Sequence, residues 1–307
     1  MPKMTVKESI LIAASPRKIS HELIQFKDWK HWSPWLIAEP QAKVIVAPDQ
    51  QSYRWEGDIV GVGEMTIKEV GEAHIYMDLT FLKPFKSKAK VAFQLLAEGE
   101  QTRLTWTMDS RLPFFLFWIK KSIESFVAMD YCRGLLMLKD WIELGAVPSA
   151  ITVEGIKERS AQKYVGIDRK CSTADIEKYM EKDFEKLMTF AHKNLAQQLD
   201  GPPFTIYPVW DVVRKKVHYC ACQPVAEYPE ALPADFNQGQ LEASKVHGVE
   251  HKGPYRHVAN AWAVQMMYKQ KKIFRANKKL APIEIYHNSP TNTPERELIS
   301  EIQFAVK

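Results

Sequence analysis

The chain has 307 residues, of which 46% are hydrophobic and 26% are charged. This balance is typical of a globular protein, and the length suggests about two domains. The net charge of +5, spread along the chain, is too small to indicate a nucleic-acid-binding protein by itself. The four cysteines are too few for a disulfide framework, and no apolar stretch is long enough to span a membrane. We therefore expect reduced thiols and a location in the cytoplasm.

An antiparallel sheet followed by one long helix is predicted for the first half of the chain. Residues 5–13 alternate like a strand, and Ser15 and Pro16 then begin a short helix, as N-cap and first helical residue. Six more alternating segments, separated by turn residues, predict strands at 42–46, 52–57, 61–70, 74–81, 87–97 and 102–110. Apolar residues at helical spacing then predict a helix that ends near Leu144, and residues 144–150 are typical of a linker.

The apolar segment PFFLFWIK, residues 113–120, precedes this long helix. Three interpretations remain open. The segment is an ordinary helix start buried on the sheet, a flexible gate over a cavity, or a patch that touches a membrane. It is far too short to cross a bilayer.

Five motifs in this half carry a resemblance to a known family. They are WKHWSPW (29–35), YRWEGDIVGVGEMTI (53–67), FLKPFKSKA (81–89), TRLTWTM (102–108) and MDYCRGLLMLKDWIE (129–143). Residues 3–145 resemble the START-like polyketide cyclase/dehydrase (SRPBCC) superfamily. The resemblance implies a domain at residues 1–147 with a helix-grip fold, in which an antiparallel sheet wraps round a long C-terminal helix and encloses a hydrophobic cavity.

Aromatic residues of the first half are candidates for the wall of such a cavity. We expect an apolar ligand to contact Trp35, Trp55, Phe81, Phe93 and Trp106. Packing in the core is the alternative for each ring, because the wall of a cavity is also part of a core.

The second half contains an internal repeat. PPFTIYPVW (202–210) and APIEIYHNS (281–289) align with Tyr207 and Tyr286 lying 79 positions apart. A similar shift relates a predicted helix at 174–199 to one at 257–278, and brings a strand at 216–225 close to one at 298–306. Each copy therefore predicts a strand, a helix and two strands. Two such copies are expected to join into one sheet, with helices on one face and an open, concave face on the other.

Four motifs in this half carry a second resemblance. They are FTIYPVWD (204–211), VEHKGPYRHVANAW (249–262), EIYHNSPTNTPEREL (284–298) and SEIQFAV (300–306). Residues 150–307 resemble the gyrase-inhibitor-like (GyrI-like) family, which is related to the effector-binding domains of multidrug-responsive bacterial transcription activators. The resemblance implies a small-molecule-binding domain at residues 148–307, built from duplicated repeats with a cleft between them. A glutamate on the last strand faces this cleft in the family, and by motif position it is Glu301.

Alternation along the last strand points to the same residue. Glu301 and Gln303 share one face of the strand, and Ile302 and Phe304 share the other. The more apolar face is expected beneath the helices, which leaves Glu301 in the cleft. There it would bind an organic cation or carry a proton in catalysis. A solvated carboxylate on a surface strand is the alternative.

Aromatic side chains are the other candidates in this half. Trp262, Tyr286, Trp210 and Tyr255 are expected to line the cleft and to stack on a flat or cationic ligand. Core packing is the alternative, and Tyr255 in KGPY would instead fix the turn before a helix. No cofactor or metal is expected, because KGPY is not a nucleotide-binding fingerprint and the histidines and cysteines lack metal-site spacing.

The sequence thus predicts an α+β protein that binds small amphipathic, aromatic or cationic molecules in two cavities, as a sensor or a sequestering protein. Whether it is an enzyme stays open. A hydrolase would use Glu301 as general acid or base, with Tyr286 orienting the substrate. A module that binds a gyrase or a regulator is the third possibility. Nucleic acid is not an expected partner, because no helix-turn-helix or basic arm is evident.

Overall fold

Two separate antiparallel sheets organise the chain, which a computed structural model describes over residues 3–83 and 86–307. The sheets belong to two units, Met1–Pro148 and Ser149–Lys307. The mixed helix and strand content and the antiparallel pairing predicted from the sequence are confirmed in both units. The FLKPFKSKA motif includes residues 84 and 85, which lie outside the described residues.

The sheet of the first unit has seven strands, in which β2 to β7 form a meander and the first strand pairs with the last. The strands are β1 (Lys3–Ile12), β2 (Lys43–Val46), β3 (Ser52–Gly57), β4 (Gly61–Val70), β5 (His74–Lys83), β6 (Ser87–Glu98) and β7 (Gln101–Arg111), in the order β1-β7-β6-β5-β4-β3-β2. Burial alternates along them, and on β6 the side chains of Val91, Phe93 and Leu95 are buried. Because successive side chains of a strand point to opposite faces, this alternation was readable in the sequence.

Three helices accompany this sheet: α1 (Pro16–Ile24), α2 (Trp29–Trp32) and α3 (Lys120–Leu144). The predicted N-cap is present, since the Ser15 hydroxyl accepts a hydrogen bond from the Lys18 amide at 3.3 Å. The long helix ends at Leu144, where Gly145 adopts a left-handed conformation with φ of 75°. Leu135, Leu138 and Ile142 of α3 belong to one buried core together with residues of the sheet. Whether this arrangement is a helix-grip fold stays a prediction.

Glu39 fixes the turn between β3 and β4. Its buried carboxylate accepts hydrogen bonds from the backbone amides of Asp58, Ile59 and Val60, at 2.8 to 3.0 Å. Hydrogen bonds to a charged group contribute more than neutral ones. The replacement Glu39→Ala is therefore expected to destabilise the first unit by about 2–4 kcal/mol. Hydrogen exchange of the three amides measures the effect, with Glu64→Ala, at an exposed position of β4, as the control. Unchanged exchange at all three amides would contradict this role.

The second unit contains one eight-stranded sheet. Its strands are β8 (Ala150–Arg159), β9 (Gln162–Ser172), β10 (Phe204–Asp211), β11 (Lys216–Pro224), β12 (Asn237–Leu241), β13 (Ser244–Lys252), β14 (Ile283–Tyr286) and β15 (Ile299–Ala305). They lie in the order β12-β9-β11-β10-β14-β15-β13-β8, with β10 and β14 at the centre. The duplication predicted from the sequence stays an interpretation of this order.

Two helices, α4 (Ile176–Asn194) and α5 (Ala259–Gln270), pack on this sheet. Helix α4 packs on β9 and β11, whereas α5 packs on β13 and β15. The central strands β10 and β14 therefore lie between the two helices. One side chain of β10, Tyr207, contacts both Met180 of α4 and Trp262 of α5, so both helices cover the same face. We call this the helical face and the other the open face.

Both helices of the second unit differ from their predicted bounds. Helix α5 ends at Gln270 rather than near residue 278, because Lys272 adopts a φ of 59° and the following chain turns back to pair Ala276 with Val306. Helix α4 begins at Ile176, with Asp175 as N-cap. Ser172 donates a hydrogen bond to the Asp175 carboxylate at 2.7 Å.

Candidate functional site

A buried carboxylate lies among aromatic rings on the helical face. Glu284, at the centre of β14, is 4% exposed. Its Oε2 accepts a hydrogen bond from the Trp262 indole nitrogen at 2.8 Å and a longer one from the Tyr207 hydroxyl at 3.4 Å. A short strand flanked by two helices thus presents one acid to two ring-bearing donors.

The charge of Glu284 is poorly compensated. Burial raises the pKa of its carboxyl from 4.5 to about 7, although hydrogen bonds from Trp262, Tyr207 and Tyr286 act in the opposite direction. All three donors are neutral, and an ionised carboxylate away from water is stabilised much better by a cation. Near pH 7 the group is therefore poised between its protonated and ionised forms.

Further rings surround this acid. Tyr207 and Trp262 meet edge to face with centroids 5.1 Å apart, and Tyr286 meets Tyr255 in the same way at 5.6 Å. Phe184 of α4 contacts the Tyr286 ring at 5.4 Å. The Tyr286 hydroxyl lies 3.0 Å from the Thr205 hydroxyl, which fixes the position of its ring. Together, Glu284 and these rings form a cluster on the helical face between α4 and α5, which we call the ring site.

A row of buried polar groups continues from the ring site across the sheet. Tyr286, Ser300 and His251 are direct neighbours on three adjacent strands, so their side chains share the helical face. Ser300 Oγ and His251 Nδ1 have no hydrogen-bond partner among the described residues. The other ring nitrogen of His251 lies 3.1 Å from Ser149 Oγ. Burial, together with the smaller effect of the nearby His257, lowers the pKa of His251 to about 4, so the imidazole is neutral near pH 7.

Glu301 lies on the open face, in a cluster of charged and polar groups. Its carboxylate, in a residue that is 3% exposed, accepts hydrogen bonds from Lys157 Nζ at 2.8 Å and from the Gln303 amide at 2.7 Å, and it lies 3.2 Å from His287 Nε2. Burial opposes its ionisation, but these three partners outweigh burial and hold the pKa at about 2. Gly248 leaves room for the cluster, since a Cβ there would lie 2.9 Å from Glu301 Oε1.

The residues predicted to line one cleft lie on both faces of the sheet. Tyr286, Trp262 and Tyr255 lie around Glu284, and Trp210, 46% exposed, contacts the Tyr207 ring at the edge of the ring site. These rings lie on the helical face, however, whereas Glu301 lies on the open face. The two carboxylates are separated by the sheet because Glu284 pairs with Ile302, while Glu301 pairs with Ile285. A hydrolase that uses Glu301 and Tyr286 together is not compatible with this placement.

Sequence reasoning misses Glu284, although a signal is present. The strand IEIY places one acid between two isoleucines. When such a strand lies at the centre of a sheet, its acid points to one face and is buried by the helices that pack on that face. Tyr286 of the same motif is the stronger candidate from the sequence, because aromatic rings are the expected lining of a ligand site.

In the first unit the predicted cavity residues belong to the core or pack against it. Phe93 and Trp106 are fully buried, Trp55 is 9% exposed, and Trp35 and Phe81 pack against the same cluster. The Trp106 ring stacks on the Tyr131 ring with centroids 4.0 Å apart.

Three buried polar atoms of this core have no hydrogen-bond partner among the described residues. They are the indole nitrogens of Trp32 and Trp106 and the hydroxyl of Tyr131. A cavity lined by the five predicted rings stays a prediction.

One family model matches the second unit. Residues 155–307 match the family model described as the GyrI-like small molecule binding domain. They therefore form a GyrI-like small-molecule-binding domain, in agreement with the resemblance seen in the sequence. A search of curated proteins finds no match.

Several solved structures are similar to this chain at low identity. A structure of an EcmrR–DNA complex is 19% identical and covers 62% of this chain and 69% of its own, with a TM-score of 0.42. A structure of SAV2435 bound to tetraphenylphosphonium is 15% identical and covers 51% and 94%, with a TM-score of 0.39. An integron cassette protein of Vibrio cholerae is 16% identical and covers 51% and 99%, with a TM-score of 0.36.

None of the helices in the described part of the chain is long and apolar enough to cross a membrane. A location in the cytoplasm and the exclusion of nucleic acid as a partner stay predictions.

Proposed function

We propose that the GyrI-like small-molecule-binding domain at residues 155–307 binds aromatic organic cations in the ring site, with Glu284 as the counter-charge. One observation carries this proposal: in an acid that is 4% exposed, every donor that acts on the carboxyl group is neutral, namely Trp262, Tyr207 and Tyr286. A ligand cation next to Glu284 would favour the ionised carboxylate and recover the free energy that burial costs.

The rings supply the remaining affinity. A cation over the face of a tryptophan or tyrosine gains about 0.5–2 kcal/mol, most where water is excluded. Trp262, Tyr207 and Tyr286 lie around the acid, so an aromatic ligand would stack on one ring while its charge faces Glu284. This combination selects for ligands that carry both a positive charge and flat apolar groups.

Entry to the site requires a ring to move. Since Glu284 is almost fully buried, the ligand reaches the carboxylate only after Trp262 or Tyr207 turns aside. Trp262 is the better candidate, because it is only partly buried and stands on α5, whereas Tyr207 is 6% exposed. The indole of Trp262 thus donates its hydrogen bond to the Glu284 carboxylate until a ligand cation takes its place.

The buried row beside the ring site would receive a polar part of the ligand. Ser300 Oγ and His251 Nδ1 lack hydrogen-bond partners among the described residues, and Ser300 is the direct neighbour of Tyr286. Buried polar groups are normally hydrogen-bonded. A ligand with a hydrogen-bonding group beyond its ring would satisfy both atoms.

The finer expectations for the whole chain are also proposals. We assign the first unit to a START-like helix-grip fold that holds a second ligand near Trp35, Trp55, Phe81, Phe93 and Trp106. The unpartnered nitrogen of Trp106 and the hydroxyl of Tyr131 support this, and they favour a ligand with one polar atom. With a ligand site proposed in each unit, we propose sensing or sequestration as the role of the chain.

Calorimetric titration of the full chain at pH 8 tests the main proposal. Tetraphenylphosphonium serves as the aromatic cation, and triphenylphosphine oxide serves as an uncharged probe with similar rings. One cation is expected to bind to each protein chain. Its affinity should be at least tenfold higher than that of the neutral probe, a difference of about 1.4 kcal/mol in binding free energy. Equal affinity for the two probes, or no binding of the cation, would overturn the proposed role of charge.

A further inference from the structure

A cluster of exposed aromatic side chains lies outside both proposed ligand sites. The segment Phe114–Ile119 forms a short 3-10 helix between β7 and α3. Its rings at Phe114, Phe115, Phe117 and Trp118 are 75%, 73%, 59% and 72% exposed. The interpretation of this segment as an ordinary buried helix start is therefore wrong. We call these four rings the aromatic patch.

Helix α3 extends this apolar surface. Phe126 and Met129, which are 43% and 38% exposed, lie three positions apart on the helix, so both face the same side. Scattered exposed hydrophobic residues are common, but adjacent ones of this size mark a surface that is covered by something else.

The end of the sheet from which this segment leaves is basic. Strand β7 ends at Arg111, which pairs with Lys3 at the start of β1. Lys88 at the start of β6 and Lys83 at the end of β5 lie at the same end of the sheet. The basic residues at this end are Lys3, Lys83, Lys86, Lys88, Arg111, Lys120 and Lys121.

Acidic neighbours neutralise this charge only in part. Asp109 lies 3.5 Å from Lys3 Nζ, and Glu124 lies 3.6 Å from Lys120 Nζ. Asp58 lies in the turn between β3 and β4 at the same end of the sheet. The side chains of Lys86, Lys88 and Lys121 are exposed. Basic residues thus outnumber acidic ones at the end of the sheet from which the aromatic patch extends.

From this combination we propose that the aromatic patch docks on the surface of an anionic phospholipid bilayer. Tryptophan and phenylalanine side chains favour the boundary between headgroups and acyl chains, and lysines nearby attract anionic headgroups. A protein partner with a matching apolar groove would explain the rings but not the basic edge around them. The occupant that complements both features is a negatively charged lipid surface.

Neither of the proposed ligand sites includes these residues, so this inference does not depend on the proposed function. Rings at the lipid surface would bring the first unit next to a bilayer without any segment crossing it. Apolar molecules dissolved in the bilayer would then have a short path to the protein.

Flotation of the full chain with lipid vesicles tests the proposal. The vesicles consist of phosphatidylcholine alone, or of phosphatidylcholine and phosphatidylglycerol in a 7:3 ratio. At low salt we expect at least tenfold stronger binding to the anionic vesicles, and weaker binding as salt is added, because ions screen the attraction. The double variant Phe115→Ser, Trp118→Ser is expected to lose at least tenfold in vesicle affinity, and Lys88→Gln, Lys121→Gln at least threefold.

A matched control is available on the same unit. Leu96 on β6 is 62% exposed and lies near the hairpin to β7, at the opposite end of the sheet. Leu96→Ser should bind anionic vesicles within twofold of the wild type.

Three outcomes would overturn the proposal. The first is no binding of the wild type to anionic vesicles, and the second is unchanged binding of the Phe115→Ser, Trp118→Ser variant when circular dichroism shows that it is folded. The third is a dimer of the wild type in sedimentation that this variant abolishes, because the patch would then be covered by a second copy.

Discussion

Replacing Glu284 with glutamine is expected to weaken the binding of tetraphenylphosphonium at pH 8 by about 100-fold. Glutamine keeps the shape and the hydrogen-bond acceptor of glutamate but removes its charge. Losing one partner of a buried charge pair costs about 2–5 kcal/mol, and each 1.4 kcal/mol is a factor of ten in affinity. Titration calorimetry of the two proteins under the same conditions measures the difference.

The affinity of the wild type for the cation should also increase from pH 5.5 to pH 8. The pKa of Glu284 is about 7 in the folded chain, so only about 3% of the carboxyl groups are ionised at pH 5.5. A cation that requires the ionised form would bind about 30-fold more weakly at pH 5.5 than at pH 8. The Glu284→Gln variant should show no such dependence.

Glu301 provides a matched control for the role of Glu284. The variant Glu301→Gln changes the same residue type on the opposite face of the sheet, and its affinity for the cation should stay within threefold of the wild type. If instead Glu301→Gln loses binding while Glu284→Gln keeps it, the ligand occupies the open face and Glu301 is its counter-charge.

The weaker binding expected of Glu284→Gln should not come from unfolding of this variant. The pKa of Glu284 is raised from 4.5 to about 7 on folding, so the folded state holds its proton more tightly than the unfolded state. Stability is then fully present below pH 4.5 and falls as pH rises towards 7, by about 3 kcal/mol in total. Glu284→Gln lacks this loss, and it should therefore be at least as stable as the wild type at pH 8.

Local patterns predicted the strands better than the site. The alternation of β4 and β3 gave the bounds Gly61–Val70 and Ser52–Gly57 as the structure has them. These strands have one buried face and tight turns, so their signals lie within a few neighbouring residues. The bounds of α5 were harder to predict, because its end depends on residues that pair with Val306 rather than on helical spacing.

The site depended on information that one strand does not contain. Period-two alternation correctly separated Glu301 from Ile302, but it does not say which face carries the rings. That choice depends on Tyr207 and Trp262, which reach Glu284 from 77 and 22 positions away. The resemblance of the sequence to a family pointed to the last strand, and the buried acid on the neighbouring strand became evident only from the contacts.

The exposure of the aromatic patch was equally hidden from the sequence. An apolar run at the start of a helix has the same composition whether it lies on the sheet or in solvent. Only the position of Phe114–Ile119 beyond the end of β7 decides between the two. The sequence allowed the membrane interpretation, but it could not favour it over burial.

The ion cluster around Glu301 is expected to make a large electrostatic contribution to the stability of the second unit. The pKa of Glu301 is about 2 in the folded chain, against 4.5 without its partners. The unfolded chain thus binds the proton more tightly, and the cluster contributes about 3 kcal/mol above pH 4.5, which is lost as pH falls towards 2. The variant Lys157→Met removes the cation that lies 2.8 Å from the carboxylate, and it should destabilise this unit by about 2–4 kcal/mol at pH 7.

Hydrogen exchange of β15 measures this loss, since Glu301 stands in that strand. Lys245→Met is the matched control, because Lys245 Nζ lies 3.7 Å from Glu158 in a pair whose side chains are 66% and 75% exposed. Such a surface pair contributes less than about 1 kcal/mol. The effect of Lys157→Met should shrink at pH 3, where glutamates with ordinary pKa values are protonated and the advantage of the folded state is smaller. An equal loss at pH 3 and pH 7 would mean that Lys157 acts by packing its aliphatic chain, and Glu301 would then have no electrostatic part in holding the sheet together.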